Sequence, residues 1–486
     1  MLQTTSAQLI ESIKRNDGGS YEVVRVGAGL ETSTPDAPSY NVPKGQVLLI
    51  TQIVAQPTAD IFGGTVAYTT SPTGAITQGF QIRDKANTVQ STAAFWSFRR
   101  NPVARAPNTP GVLDSRTSYP ANIAKWAPKY PIVVPSEWDI QLLDTGVGSE
   151  TDLNCGAAAY GILVDEDSAR TLGFDVNTSA TDSERRYGVE TFTASGSIAA
   201  RSGKSIRILD VNVRMQPEGD EDGTGAIALV QAAGTRTLHK FCNQNHSEEW
   251  AASFCPADCW YLGENSALTV TFTGTNVGSI TISYEYVDKD EVPAGVFWGS
   301  VAATKPGSGA SPAGAFNLQR RANTEITLFY PASYNLDTSA ATSAYTATSP
   351  TTGNQHMLYG YLMSAQKDTT AAAEQTLFTL TTGTTGGAIQ NDTNVVNLVQ
   401  TEYQLGPVLH CAAQNQAVNC CVDDLMVPCK PDDGSIWAAS IGYGDSAPGG
   451  LLSVPAVADH NLDEFQISVW GRTVAARYTE PTNQEV

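Results

Sequence analysis

Apolar and polar residues alternate in short runs along this chain, and one such run recurs. In Lys204–Pro217, Ile206, Ile208, Val211, Val213 and Met215 sit close to a two-residue period, as a half-buried strand requires, and Pro217 ends the run. Residues 44–57 match it without a gap: Lys44 with Lys204, Leu49 with Leu209, Ile53 with Val213, and Gln56-Pro57 with Gln216-Pro217. Leu358–Gln366 is a fainter third copy. A long terminal strand also occurs three times, at 155–167, 278–291 and 464–474, and the first two close on an acidic run. A strand opened by proline precedes each, at Val134-Pro135, Cys255-Pro256 and Val427-Pro428.

The starts of the copies carry a common landmark too. Lys14-Arg15, Arg185-Arg186 and Arg320-Arg321 each precede a predicted strand, at 21–26, 189–193 and 324–330. Self-similarity at this spacing is the mark of repeated domains. The pattern therefore predicts an all-β protein of three tandem, divergent, antiparallel β-sandwich domains at 15–166, 185–291 and 320–478. Residues 1–14 are expected as an N-terminal arm, with a short amphipathic helix at 7–15, and 479–486 as a tail. Linkers are expected at 167–184, rich in Ser, Thr and Asp, and at 292–319, which contains Lys305-Pro-Gly-Ser-Gly-Ala-Ser-Pro312. A long insertion in the middle of copies one and three suits a jelly roll better than an immunoglobulin-type sandwich.

Composition agrees with this outline. At 486 residues the chain is too long for one core. Only 16% of residues are charged while 41% are apolar, so the surface is polar through Ser, Thr, Asn, Gln and Gly. The formal net charge of −20 argues against nucleic-acid or anionic-membrane binding by the bulk surface. No apolar run approaches the ~18 residues of a membrane helix. Met1–Ser6 lacks the basic and apolar regions of a signal peptide, so folding in a cytosol, with the cysteines as thiols, is the expectation.

Candidate chemistry is sparse. Gly442-Tyr-Gly-Asp-Ser446 contains the Gly-Asp-Ser triplet of an esterase superfamily, but it lies late in an all-β copy without the partnering Asp-x-x-His, and a turn is the better reading. His239, Cys242, His246, Cys255 and Cys259 together offer enough N and S ligands for zinc, yet their spacings do not match the usual knuckles. Buried free thiols are expected; the alternatives are that metal, or disulfides joining Cys242 to Cys255 or Cys259 and Cys411 to Cys429. Glu218–Gly223 lacks the spaced ligands of a calcium loop and reads as a solvated turn. Paired carboxylates on apolar strands and a phosphate-cradling glycine loop are not found, and five scattered histidines leave little for general-base work. No catalytic residue and no cofactor is predicted.

One local contrast stands out. Residues 99–130 carry Arg99, Arg100, Arg105, Arg116, Lys125 and Lys129 among aromatic residues, opposed only by Asp114. Arginine and aromatic side chains are enriched in interface cores, so this stretch is either a docking segment or a loop folded over its own domain. The three-copy organisation resembles virion structural proteins, in particular the capsid decoration or cement proteins of tailed bacteriophages. That resemblance implies a non-enzymatic single-chain pseudo-trimer that binds and stabilises a capsid shell in a virion assembled in the host cytoplasm. Its partners would be the major capsid protein, other virion proteins or copies of itself. The contacts would be Lys14, Arg15, Arg99, Arg100, Arg105, Arg116, Arg185, Arg186, Arg320 and Arg321. A carbohydrate- or receptor-binding adhesin using Trp126, Trp138, Trp250 and Trp260, and a jelly-roll major capsid protein, are the alternatives.

Overall fold

The computed structural model describes residues 4–15, 22–27, 39–59, 75–99, 124–146, 153–174, 176, 186–215, 224–233, 236–244, 250–274, 278–304, 315–322, 325–329, 342–346, 354–367, 375–382, 403–404, 409–411, 417–423, 427–428, 438–444 and 462–475. These residues form antiparallel sheets with two short helices, α1 (Ser6–Arg15) and α2 (Glu166–Thr171). The all-β expectation holds.

The first copy contains β1 (Glu22–Gly27), β2 (Ser39–Asn41), β3 (Gln46–Ala59), β4 (Ala75–Arg83), β5 (Val89–Arg99), β6 (Ala124–Trp126), β7 (Ile132–Val134), β8 (Asp139–Gly146) and β9 (Leu153–Asp165). One sheet runs β1-β9-β3-β6, with the short β7 also on β3, and the other runs β2-β8-β4-β5. The second copy contains β10 (Tyr187–Phe192), β11 (Gly196–Ile198), β12 (Lys204–Met215), β13 (Thr224–Gln231), β14 (Arg236–Gln244), β15 (Trp250–Phe254), β16 (Leu268–Gly274) and β17 (Ser279–Asp288). Its sheets run β10-β17-β12-β15 and β11-β16-β13-β14. With β7 set aside, both copies follow one path: first, last, third and sixth strands in one sheet, second, seventh, fourth and fifth in the other. That is the connectivity of an eight-stranded jelly roll.

The third set comprises β18 (Val296–Thr304), β19 (Ala315–Ala322), β20 (Glu325–Phe329), β21 (Thr342–Thr346), β22 (Asn354–Lys367), β23 (Gln375–Thr382), β24 (Tyr403–Gln404), β25 (Leu409–Cys411), β26 (Ala417–Val422), β27 (Val427–Pro428), β28 (Ala438–Gly444) and β29 (Leu462–Ala475). The path recurs as β18-β29-β22-β26 and β21-β28-β23-β24, with β25 also on β23 and the hairpin β19–β20 added beyond β18.

Three expectations about boundaries change. The segment expected as a linker, 292–319, holds β18, which pairs with the terminal strand β29 as β1 pairs with β9. The strand expected to open the third copy, 324–330, is β20, an added edge strand, so Arg320-Arg321 does not mark the start of that copy. A second expected linker, 167–184, begins in α2: Asp165 caps the helix by accepting from Ser168 N at 2.8 Å and from Ser168 Oγ at 2.6 Å. Phe174 and Val176, beyond it, are buried. Runs of small and polar residues mimic a linker in both stretches.

The repeated motif does occupy equivalent strands, β3 and β12, each beside its terminal strand, but the register differs from the ungapped match. Gln46 pairs with Asp165 and Lys204 with Asp288, two residues from the sequence alignment. The strands share a bulge at Thr51, Leu209 and Tyr359 of β22, where the pairing skips one residue. A two-residue slip preserves which face each side chain meets, so alternation alone does not detect it.

Burial follows from that alternation. Leu48, Ile50 and Ile53 of β3 face Phe80, Ile82 and Ile140 of the partner sheet. Val47 and Leu49, on the opposite face, pack with Leu9 of α1, Ala169 of α2, and Phe174 and Val176. In the second copy Ile206, Ile208, Val211, Val213 and Met215 meet Ile227, Leu229, Phe241, Leu268 and Val270. Each such side chain contributes about 1.5–3 kcal/mol of transfer free energy.

Candidate functional site: the seams between the jelly rolls

The functional groups of the described residues gather where the copies meet. The first seam forms on the outer face of the second copy's β10-β17-β12-β15 sheet. Alternation that sends Ile206 and Ile208 inward sends Arg207 outward, and the bulge at Leu209 brings Asp210 to the same side. The first copy covers this face. Edge strand β5 lies against β10, β12 and β17. Tyr130 buries itself with Leu209 and Ala257, flanked by Tyr187 and Cys255. Val189 of β10 joins the first copy's core.

Several polar groups of the seam are paired. Arg207 Nη1 donates to Glu285 Oε1 at 2.9 Å and Nε donates to the Ala257 carbonyl at 2.6 Å, while its guanidinium lies 5.3 Å from the Tyr130 ring centre. Asp210 Oδ1 accepts from Lys129 N at 3.1 Å, and Oδ2 has no hydrogen-bond partner among the described residues. Burial pushes this carboxyl up to about 7; Lys129 opposes the rise and Asp423, in the third copy, adds to it. Cys255 N donates to Asp423 Oδ2 at 2.8 Å, so Lys129, Asp210 with Cys255, and Asp423 bring all three copies to one junction.

The second seam repeats this mode of docking. Edge strand β14, the counterpart of β5, lies on the outer face of the third copy's β18-β29-β22-β26 sheet. His239 of β14 places Nδ1 2.6 Å from Ser468 Oγ and Nε2 2.8 Å from Ser364 Oγ. Asn419 Oδ1 accepts from Cys242 N at 3.1 Å and its Nδ2 donates to the Cys242 carbonyl at 2.9 Å. Beside this polar patch, Trp470 packs edge-on to Trp260 with centres 5.5 Å apart, and Phe254 lies 5.8 Å from Trp470. Burial drives the imidazole down to about 3, so the ring is neutral and carries one N–H. Ser364 Oγ donates to Asn419 Oδ1 at 2.7 Å and Ser468 Oγ to the Leu238 carbonyl at 2.6 Å, so the ring's single N–H is donated to one of these two hydroxyl oxygens.

This arrangement revises the metal and disulfide alternatives. Cys242, Cys255 and Cys259 are free thiols, as are Cys420 and Cys421. The Cys259 Sγ donates to the Gly471 carbonyl at 3.2 Å, and Cys242 Sγ lies 3.9 Å from the Lys240 carbonyl. Burial raises the Cys255 and Cys259 thiols well above their ordinary value. No group of three metal-ligating side chains converges among the described residues. Cys242 and Cys259 contact the third copy at Asn419 and Gly471, whereas Cys255 lies beside Tyr130 at the first seam. His246 and Cys429 lie outside the described residues, and Cys411 is placed only as a member of β25.

The basic candidates disperse. Arg186 is paired within the chain, to Glu291 at 2.9 Å and to Glu285 at 3.5 Å. Lys14 and Arg15 end α1 and are exposed, Lys14 paired to Glu11 at 3.0 Å. Arg99 closes β5, and Arg320 and Arg321 lie in β19. Arg100, Arg105, Arg116 and Arg185 lie outside the described residues. Trp126, Trp138 and Trp260 are buried and Trp250 packs against the core, so none of these four is an open carbohydrate platform.

Sequence reading missed the residues of the seams. Arg207, Asp210 and Arg214 alternate with apolar neighbours and read as a solvated face, whereas all three are buried. The available signal was density: three charged side chains and an asparagine within eight residues of one strand, in a chain with few charges.

No family model matches the chain, and neither does any curated protein sequence. Two solved structures align with part of the chain. One, described as "Crystal Structure of the STIV MCP", is 12% identical, with 55% of this chain and 97% of that one aligned at a TM-score of 0.27. The other, "Truncated AlyQ with CBM32 and alginate lyase domains", is 10% identical over 58% of this chain and 91% of that one, at a TM-score of 0.13. Likenesses of this size carry no inference about activity.

Proposed function

We propose that this chain is a non-enzymatic structural protein of a virion, acting as a capsid decoration or cement protein. The observation that carries the reading is the repeated seam. An edge strand of one jelly roll docks on the sheet face of the next, twice, and Asp210, His239 and Asn419 make buried hydrogen bonds from one copy to the other. A chain organised this way behaves as a preassembled rigid array, suited to spanning neighbouring subunits of a shell.

The pseudo-trimer takes a modified form. A closed three-fold ring would require the third copy's edge to reach the outer face of β1-β9-β3-β6. That face is covered by α1, α2, Phe174 and Val176. We therefore favour an open array over a ring. The proposed contacts to an acidic shell are Lys14, Arg15, Arg99, Arg100, Arg105, Arg116, Arg185, Arg186, Arg320 and Arg321.

The test is add-back of purified chain to particles stripped of it. Saturable co-sedimentation with raised heat resistance of the particle supports decoration. Failure to bind, or a recombinant chain that closes into shells unaided, rejects it; the second result would make the chain a major capsid protein.

A further inference from the structure

We propose that α1 is a displaceable guard over the first jelly roll's docking face, and that with α1 withdrawn the edge of the third jelly roll of a second copy takes its place. The inference does not rest on the virion reading. It rests on the seams, which show the same donor and the same acceptor used twice. The donor is the fifth strand of one copy, β5 or β14. The acceptor is the outer face of the next copy's terminal-strand sheet, supplied by β12 and β17 or by β22 and β29. An interface whose two sides differ is head-to-tail and leaves one half free at each end of an open array.

Both unused halves of this interface exist in the chain. The unused donor is β24 with β25, on the flank of β23 that corresponds to the β14 flank of β13. The unused acceptor is the outer face of β3 and β9, where Leu49 and Ile162 stand at the register positions of Arg207 and Glu285. Here the cover is local: Leu9, fully buried, with Ile10 and Ile13 of α1, sits over Val47, Leu49, Ile162 and Val164. Ala169, Phe174 and Val176, continuous with β9, cover the adjoining part.

The helix is held by few bonds. Thr4 N donates to the Leu172 carbonyl at 3.0 Å, Ser6 N to the Lys129 carbonyl at 2.7 Å and Ser6 Oγ to the Pro128 carbonyl at 2.6 Å. A helix of 10 residues is marginal in water by itself, so α1 persists through this face and is released when it leaves. An apolar face under a short helix, with the fifth-strand edge of the third copy present in the same chain, points to another copy of the chain as the incoming partner.

Sedimentation velocity across a concentration series decides the matter, comparing the intact chain with one lacking residues 1–15. The intact chain should remain one species. The truncated chain should grow through successive integer multiples of its mass, return to one species with excess Met1–Arg15 peptide, and fail to grow when Leu409→Arg is added. An unchanged single species overturns the proposal. So does growth that stops at a dimer, or growth indifferent to the peptide or to Leu409→Arg. Should the truncated chain not fold, a full chain cut after folding at a protease site placed within residues 16–21 is read by the same outcomes.

Discussion

The imidazole of His239 in the second jelly roll lies 2.6 Å from Ser468 Oγ in the third, and no water-accessible surface separates the two rolls at that point, since His239 is fully buried and Ser468 nearly so. The ring is neutral when folded, because burial lowers it to about 3, and it takes a proton near 6.5 when unfolded. Between those values the unfolded chain binds the extra proton, so stability falls as pH drops from 6.5 toward 3. Denaturant midpoints recorded across that window should decline for the parent chain and decline less for His239→Gln.

Asp210 gives the first seam the opposite response. Its folded carboxyl titrates near 7 against an ordinary 3.8, so between those values the folded state alone holds the proton. Stability is lost as pH rises through that window, by roughly 4 kcal/mol at completion. Asp210→Asn should remove this slope and be the more stable protein above pH 7, as read by thermal unfolding. A mutant that tracks the parent at every pH would show that Asp210 ionises freely.

Arg207 and Glu285 form a buried pair, Glu285 being only 2% exposed. Removing Arg207 leaves the buried Glu285 with only the longer Arg186 contact at 3.5 Å, so Arg207→Met should cost about 3 kcal/mol. The double change Arg207→Met with Glu285→Leu should recover most of that loss, which a double-mutant cycle in urea measures.

Gly360 follows the bulge in β22, opposite Trp470, and a methyl group there would overlap the indole ring. Because Trp470 is wedged against Trp260 and Phe254, the ring has no room to retreat. Gly360→Ala should destabilise by about 1–3 kcal/mol. Limited proteolysis should then separate the third copy from the first two sooner than in the parent.

Much of the fold was legible in the pattern of residues. Alternation located β3, β12 and β22, and the repeated terminal strands located β9, β17 and β29, because a half-buried strand writes its two faces directly into its sequence. The amphipathic run at 7–15 likewise foretold α1. Register was not legible, since a shift of two residues leaves every face unchanged, and only the pairing of Gln46 with Asp165 and Lys204 with Asp288 fixed it. The start of the third copy was misread because β18 lies beside a Gly- and Pro-rich stretch and its partner β29 is more than 150 residues away.

The seams belong to tertiary structure alone. Arg207, Asp210, His239, Ser364 and Ser468 carry no sequence pattern that distinguishes a solvated strand face from one covered by a neighbouring domain. Alternation reports that a side chain points away from its own core; it is silent on what lies beyond. The sequence by itself thus determined the all-β class, the alternating strands and their faces. Which outer faces meet one another, and hence which polar groups are buried and shifted in their titration, was decided by the packing of one jelly roll on the next.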